Sequence, residues 1–310
     1  MPASPRLIRR RLKSTRSTRK IMKAMELVAG SKMRKTTQQT LAARPFHLLL
    51  EQMRERVEQE SHHAHELLRG RPGPKSGRSL LVIAASDRGL CAGFNNQLIK
   101  YSLEFLRTHE TERFDLLTIG RRAEAVARRS GNELVASFPA ISNAPSFARA
   151  KPIVEYIRDA FLSGRVDRIF FAYTHFKSAL VQQPTIIQLL PISNEQLAKD
   201  DQTEEEQPSR TGFYSRYFKS EPESDSTMIF EPTSDAILEA LLPRLVETRV
   251  YTALLESASS EHSARMMAMR SAGDAAAEMA DDLTFTLNQA RQSAITREIS
   301  EISAGKAAIE

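Results

Sequence analysis

Apolar residues between positions 4 and 68 recur at helical steps: Ile8, Leu12 and Thr15 share a face, as do Ile21, Met25 and Val28. Gly30 is the only glycine in that stretch, and Pro5 and Pro45 are its only prolines. Residues 1–68 are therefore predicted to form one long helix, with Pro45 expected to kink or interrupt it. About sixty helical residues span roughly 90 Å, about twice the width of a compact domain or more, so such a helix cannot be buried along its whole length in its own chain.

Gly70, Pro72, Gly73, Pro74 and Gly77 end that pattern and a different period begins. Short β-branched or aromatic runs occur at Leu80 to Ala85, Leu116 to Ile119, Leu134 to Phe138, Ile169 to Tyr173 and Thr185 to Leu190. Helical patterns at about 95–107, 121–130 and 150–163 separate the first four. The order β-α-β-α-β-α-β-β predicts a Rossmann-like, mostly parallel sheet domain over 78–198. Residues 199–230, with Asp200, Asp201, Glu204, Glu205 and Glu206 clustered, read as an exposed acidic loop.

From 231 to 310 the pattern is helical again, with Pro243 in its early turns. Met266, Met269, Gly273, Ala276, Ala280, Leu283, Leu287, Ala290 and Ala294 recur at alternating steps of three and four, which is a coiled-coil seam. Its Ala and Gly positions let a partner helix approach closely, and the first long helix is the partner at hand, in antiparallel sense. The predicted fold class is α/β plus a long antiparallel coiled coil formed by the two terminal helices.

Charge changes this picture more than composition does. The net charge of the 310-residue chain is +6, yet residues 1–35 hold twelve Lys or Arg against one acid, Glu26, a local +11. Such a block contacts an anionic surface or lies along one face of an exposed helix. Nucleic acid is one reading, since phosphate neutralisation uses blocks of this kind. Against it, no aromatic residue interrupts the run to stack on bases, and no helix-turn-helix spacing follows. A basic shaft among acidic loops fits the charge equally well.

The sole cysteine, Cys91, excludes an intramolecular disulfide, and the arginine-rich start lacks the apolar core of a secretion signal, which together suggest a reducing, cytoplasmic compartment. The longest apolar run, near Leu80 to Ala85, falls far short of the ~20 residues of a spanning helix, so membrane association is expected to be peripheral and through partners.

Candidate chemistry is sparse. The segment Asp87 to Asn95 lies between a strand and a helix, where a dinucleotide fold places its glycine loop, but Gly89 and Gly93 are spaced wrongly for GxGxxG. They read as glycines of a tight structural turn. Cys91 precedes a helix start, a setting that can lower a thiol pKa, yet no base is placed by any nucleophile motif, and a packed or surface thiol is expected. His62, His63 and His65 lack metal-ligand spacing on a helix. No phosphate loop, HExxH or paired nucleophile and base is present. No catalytic, cofactor-binding or metal residue is assigned.

Three segments together resemble the gamma subunit of F-type ATP synthases. Arg16-Ser17-Thr18-Arg19-Lys20-Ile21-Met22-Lys23-Ala24-Met25-Glu26-Leu27-Val28-Ala29 is similar to that family's T-x-K-I-T-K-A-M-E-M-V-A. Asp87 to Asn95 is similar to D-R-G-L-C-G-G-F-N, with Ala92 at the second glycine. Glu261 to Met269 and Asn288 to Ile302 complete the set, with Arg297 where Gln is commoner. The resemblance implies a non-catalytic central rotor shaft that couples ion flow through the membrane sector to ATP synthesis or hydrolysis and regulates the ATPase. The implied partners are the alpha and beta subunits of the catalytic ring, the epsilon subunit and the membrane rotor ring of c subunits, with no cofactor and no nucleic acid, at the cytoplasmic side of a bacterial cell membrane. It further implies that Arg291 and Gln292 contact a beta-subunit loop, that Met25 lies where the shaft passes the ring's lower lobes, and that Arg9, Arg10, Lys20, Lys23 and Lys32 are bearing residues. A basic coiled-coil nucleic-acid-binding protein is the rival reading.

Overall fold

The computed structural model describes residues 5–61, 65–72, 74–192 and 230–307, with side chains to 304. In chain order the elements are α1 (Pro5–Glu60), α2 (Glu66–Arg69), β1 (Arg78–Ala84), α3 (Phe94–Thr108), β2 (Arg113–Ile119), α4 (Arg121–Ala127), β3 (Glu133–Phe138), α5 (Phe147–Leu162), β4 (Arg168–Phe176), β5 (Gln182–Leu190) and α6 (Ser234–Ala307). The alternation expected from the strand and helix periods is present in order. Pro45 does not interrupt α1, which runs through it for 56 residues. The acidic 199–226 segment lies outside the described residues, as do His62 and His63.

The chain divides into two compact units, one of Met1–Met33, Leu90–Ala92 and His262–Glu310, the other of Arg34–Gly89 and Gly93–Glu261. In the first, α1 and α6 pair in opposite directions. A Cβ on Gly30 would meet the Met266 sulfur at 3.2 Å, one on Gly273 would meet Met22 at 3.8 Å, and Arg16 Nη2 donates to Thr284 at 3.4 Å. Residue numbers rise on α6 as they fall on α1, so the pair is antiparallel. Every seam position from Met266 to Ala290 is buried or half-buried.

One expectation about the seam needs correction. Ala294 is exposed, as is every residue of 291–304. Ile21 and Val28 are also exposed, at 57% and 56%. On α1 the seam passes instead through Ile8, Leu12, Met22, Ala29 and Gly30. Ile21 and Val28 each sit one residue before a seam position, about 100° around the helix, which turns their face outward.

The second unit is built on a five-stranded sheet of order β3-β2-β1-β4-β5, parallel except for the antiparallel edge strand β5. Side chains alternate across β1: Leu80, Val82 and Ala84 join Ile153, Ile157, Leu242 and Val246 on one face, while Leu81, Ile83 and Ala85 join Leu98, Leu116 and Ala123 on the other. Burial on both faces explains why these strands read as continuous apolar runs. Pro184 is tolerated in β5 because an edge strand needs no ladder donor on its open side.

Candidate functional site

An open α/β sheet binds its ligand outside the carboxyl ends of its strands, where the strand order reverses. Here that point lies between β1 and β4. It is filled by α6: Ser257 Oγ donates to the Ala84 carbonyl at 3.2 Å and Ser260 Oγ to the Thr174 carbonyl at 3.1 Å. Every residue from Ala253 to Glu261 is buried, so the helix is enclosed on all sides there. Small side chains allow that enclosure, and serine hydroxyls satisfy carbonyls at the strand ends. Glu256 Oε2 lies 2.7 Å from His175 Nδ1, which fixes the same stretch of α6 to β4.

The loops around this point are tied to one another. The Asp87 carboxylate accepts from Ala140 N at 2.9 Å, Arg121 N at 3.3 Å and Ser142 Oγ at 3.0 Å, joining the loops after β1, β2 and β3. Asn95 Oδ1 accepts from Ser86 N at 3.0 Å. Acceptor duties therefore occupy both polar ends of the Asp87 to Asn95 segment. Gly89 and Gly93 lie in the turn between β1 and α3, with Gly93 capping α3 at a φ of −80°. The left-handed conformations fall on Leu90 (φ 64°) and Ala92 (φ 48°) instead. Cys91 is buried, so it is a packed thiol.

Gly120 was not singled out in the sequence, yet its φ of 87° and the close approach of the Ala85 carbonyl leave room for no side chain. A single glycine between a strand run and a helical pattern was its only signal. Ser257 and Ser260 carried none, since serines in a small-residue helix look like solvated positions.

A buried ionic cluster links α1 to α6 within the second unit. Arg54 is fully buried and pairs with Glu51 and Glu58, and Arg249 Nε donates to Glu51 at 2.8 Å. His47 lies beside Glu51, and burial holds its pKa below the ordinary histidine value; Glu51 and Glu256 oppose that shift and Arg249 assists it. His65 caps α2 by accepting from Leu67 N at 3.1 Å. Among the described residues no group of three His, Cys, Asp or Glu is arranged to hold a metal ion.

The predicted contact residues lie on the first unit. Arg9, Arg10, Lys20 and Lys23 are exposed on α1, Lys32 and Met25 are half-buried, and Lys23 pairs with Glu26 at 2.8 Å. Arg291 and Gln292 open a stretch of α6, 291–304, in which every residue is exposed. Ile295, Ile299 and Ile302 form an apolar stripe along it, 49–67% exposed. A lone helical end carrying unpartnered isoleucines is suited to a surrounding protein surface.

These features define an architectural class: a two-helix antiparallel shaft combined in one chain with an α/β unit whose customary ligand crevice its own helix fills. A family model described as ATP synthase matches residues 4–309. The ATP synthase gamma chain of Desulfitobacterium hafniense is 38% identical over 309 residues, covering 99% of this chain and 100% of the relative. That of Nitrosomonas europaea is 34% identical over 312 residues, covering 100% of both. Among solved structures, the central stalk and c ring of Tetrahymena thermophila mitochondrial ATP synthase supplies a chain 25% identical, with a TM-score of 0.57, covering 81% of this chain and 99% of that one. A chain of the Euglena gracilis mitochondrial ATP synthase shares the fold, with a TM-score of 0.63 at 17% identity, covering 98% of this chain and 94% of that one. The chain belongs to the ATP synthase gamma-chain family, the non-catalytic central-stalk rotor subunits of F-type ATP synthases. No helix among the described residues is long and apolar enough to cross a membrane.

Proposed function

We propose that the first unit turns inside a ring of alpha and beta subunits and transmits torque between that ring and an ion-driven membrane rotor of c subunits, with an epsilon subunit bound to the stalk, on the cytoplasmic face of a bacterial membrane. The observation that carries the proposal is the run of wholly exposed residues 291–304, which continues α6 past the last paired seam position as a lone helix. A helical end with exposed isoleucines is costly in water and stable inside a sleeve.

The mechanism is differential binding. An antiparallel helix pair has no threefold axis, so each of three identical beta subunits meets a different face of it. One face carries Arg9, Arg10, Lys20 and Lys23, and the opposite helix carries the exposed acids Asp274, Glu278, Asp281 and Asp282. The three catalytic sites are thereby held at unequal affinities, and each rotation step permutes them. Arg291 and Gln292 contact a beta-subunit loop, Met25 lies along the lower passage, and Arg9, Arg10, Lys20, Lys23 and Lys32 meet acidic rim residues. The α/β domain over 78–198 meets the membrane rotor, and the coiled coil is formed by the parts of the two terminal helices that lie in the first unit. The turn at Gly89 and Gly93 has a structural role.

The test is reconstitution with the alpha and beta subunits of a bacterial relative. A bead attached through Leu180→Cys, which is 75% exposed whereas Cys91 is buried, should rotate in 120° steps during ATP hydrolysis. Arg291→Ala with Gln292→Ala should slow or uncouple turnover by about tenfold, the effect of losing one charge-assisted contact. Failure to assemble, together with steeply salt-dependent DNA binding, would overturn the proposal in favour of a nucleic-acid role for α1.

A further inference from the structure

We propose that the second unit binds a phosphate group in a cleft at the amino-terminal ends of β1 and β4. The cleft, about 270 Å³, is lined by Arg69, Arg71, Lys75 and Arg168 together with Glu112 and Asp167. It lies at the end of the sheet opposite the crevice filled by α6, so it is unrelated to the usual ligand position of such a fold.

Both carboxylates in the cleft are already engaged. Asp167 accepts from Ser76 N at 3.0 Å and Gly77 N at 2.7 Å, and these bonds outweigh burial, which alone would raise its pKa, leaving it below the ordinary value. Glu112 accepts from Arg168 Nη2 at 3.0 Å and Ser79 Oγ at 3.1 Å. The side chains of Arg69, Arg71 and Lys75 make no hydrogen bond or ion pair among the described residues. Three exposed cations thus line one concave surface, where only Lys75 feels a carboxylate, that of Asp167, and a multiply charged oxyanion would give all three an acceptor.

Arg71 passes over Gly164. Its guanidinium lies against the bare face of Gly164, where an added Cβ would fall 2.3 Å from the guanidinium carbon. A planar guanidinium presents paired N–H donors, the geometry that matches phosphate better than an ammonium does. The phosphate is that of a membrane lipid headgroup or a free phosphate, and the two sources are separable.

The experiment compares the full chain with a cleft variant, Arg69→Ser, Arg71→Ser and Lys75→Ser. A control, Arg6→Ser, Arg11→Ser and Lys13→Ser, removes the same charge from exposed positions of α1. Inorganic phosphate binding is titrated by calorimetry, and co-sedimentation is measured with phosphatidylglycerol and phosphatidylcholine vesicles. The cleft variant should weaken binding at least about tenfold while the control stays within about twofold. Arg71→Lys, which keeps the charge but removes the paired donors, should weaken it too. Saturable binding of inorganic phosphate assigns the site to free phosphate; cleft-dependent binding to phosphatidylglycerol vesicles without it assigns a lipid headgroup. Equal losses in the two charge variants, or binding of neither probe, overturns the proposal.

Discussion

Replacing Gly120 by alanine tests how the loops around the filled crevice are held. Gly120 has φ 87° and ψ 144°, a region occupied almost only by glycine, and placing another residue there costs about 1–3 kcal/mol. The new Cβ would stand 2.2 Å from the Ala85 carbonyl oxygen and 2.9 Å from its carbon. Ordinary carbon–oxygen contact begins near ~3.3 Å, so the ends of β1 and β2 must separate by about 1 Å. That movement strains two hydrogen bonds, Ala85 N to Ile119 O at 3.0 Å and Gly120 N to Phe138 O at 3.1 Å. Each is worth about 0.5–1.5 kcal/mol, which brings the loss to roughly 2–6 kcal/mol, a large share of the ~5–15 kcal/mol that holds a typical domain. Urea denaturation of the full chain, followed by circular dichroism, measures it. Gly131→Ala is the control, because Gly131 also has positive φ (81°) but nothing within 4 Å of an added Cβ. Gly120→Ala should lose at least about 2 kcal/mol more than Gly131→Ala, the sum of the two strained bonds and the overlap. Equal losses would refute the steric argument and leave only backbone preference.

Ala92→Gly should stabilise the chain by about 1 kcal/mol, since a left-handed φ of 48° disfavours a Cβ; an unchanged or lower midpoint in urea would count against strain at that loop. Gly30→Ala should gain up to about 1 kcal/mol of helix propensity, because the atom it meets is the flexible end of Met266; a clear loss would mean the seam cannot give by a few tenths of an ångström. His47 and His65 both have pKa values lowered mainly by burial, so the unfolded chain binds protons first as pH falls below about 6.5. Stability should therefore drop as pH falls through that value, and His47→Gln should flatten the slope; an unchanged slope would remove His47 as its source. Arg54→Met should cost about 1–3 kcal/mol, because half-buried Glu58 loses its partner while Glu51 keeps Arg249, and a near-neutral result in thermal unfolding would show that Glu58 reaches water.

Periodicity alone carried much of this protein. The switch from helical steps to short β-branched runs at the Gly70 to Gly77 break, and back at Ser234, marks real element boundaries, because 3.6- and 2-residue periods cannot be satisfied by the same backbone. The Met266 to Ala290 seam was legible for the same reason: a repeat of three and four leaves one stripe to bury. Local pattern could not set the rotation of α1: Ile21, Met25 and Val28 share a face by spacing, and only pairing with α6 showed that Met22 and Ala29 are covered while Ile21 and Val28 are exposed. Nor could it mark the end of the buried seam, since Ala294 fits the repeat but is exposed.

The remaining features depend on contacts between residues far apart in sequence. Ser257 meets Ala84 and Ser260 meets Thr174. Asp87 meets Ala140 and Ser142, and Arg249 meets Glu51. A serine in a helix is compatible with water or with a buried carbonyl, and an arginine with solvent or with a carboxylate. Composition and spacing determined that this chain forms two long helices around a mostly parallel sheet, with its positive charge concentrated on the first helix. Tertiary structure alone decided that α6 fills the ligand crevice, that Gly120 can bear no side chain and that the end of α6 stays unpaired, because hydrogen-bond partners and steric overlap depend on distance in space rather than along the chain.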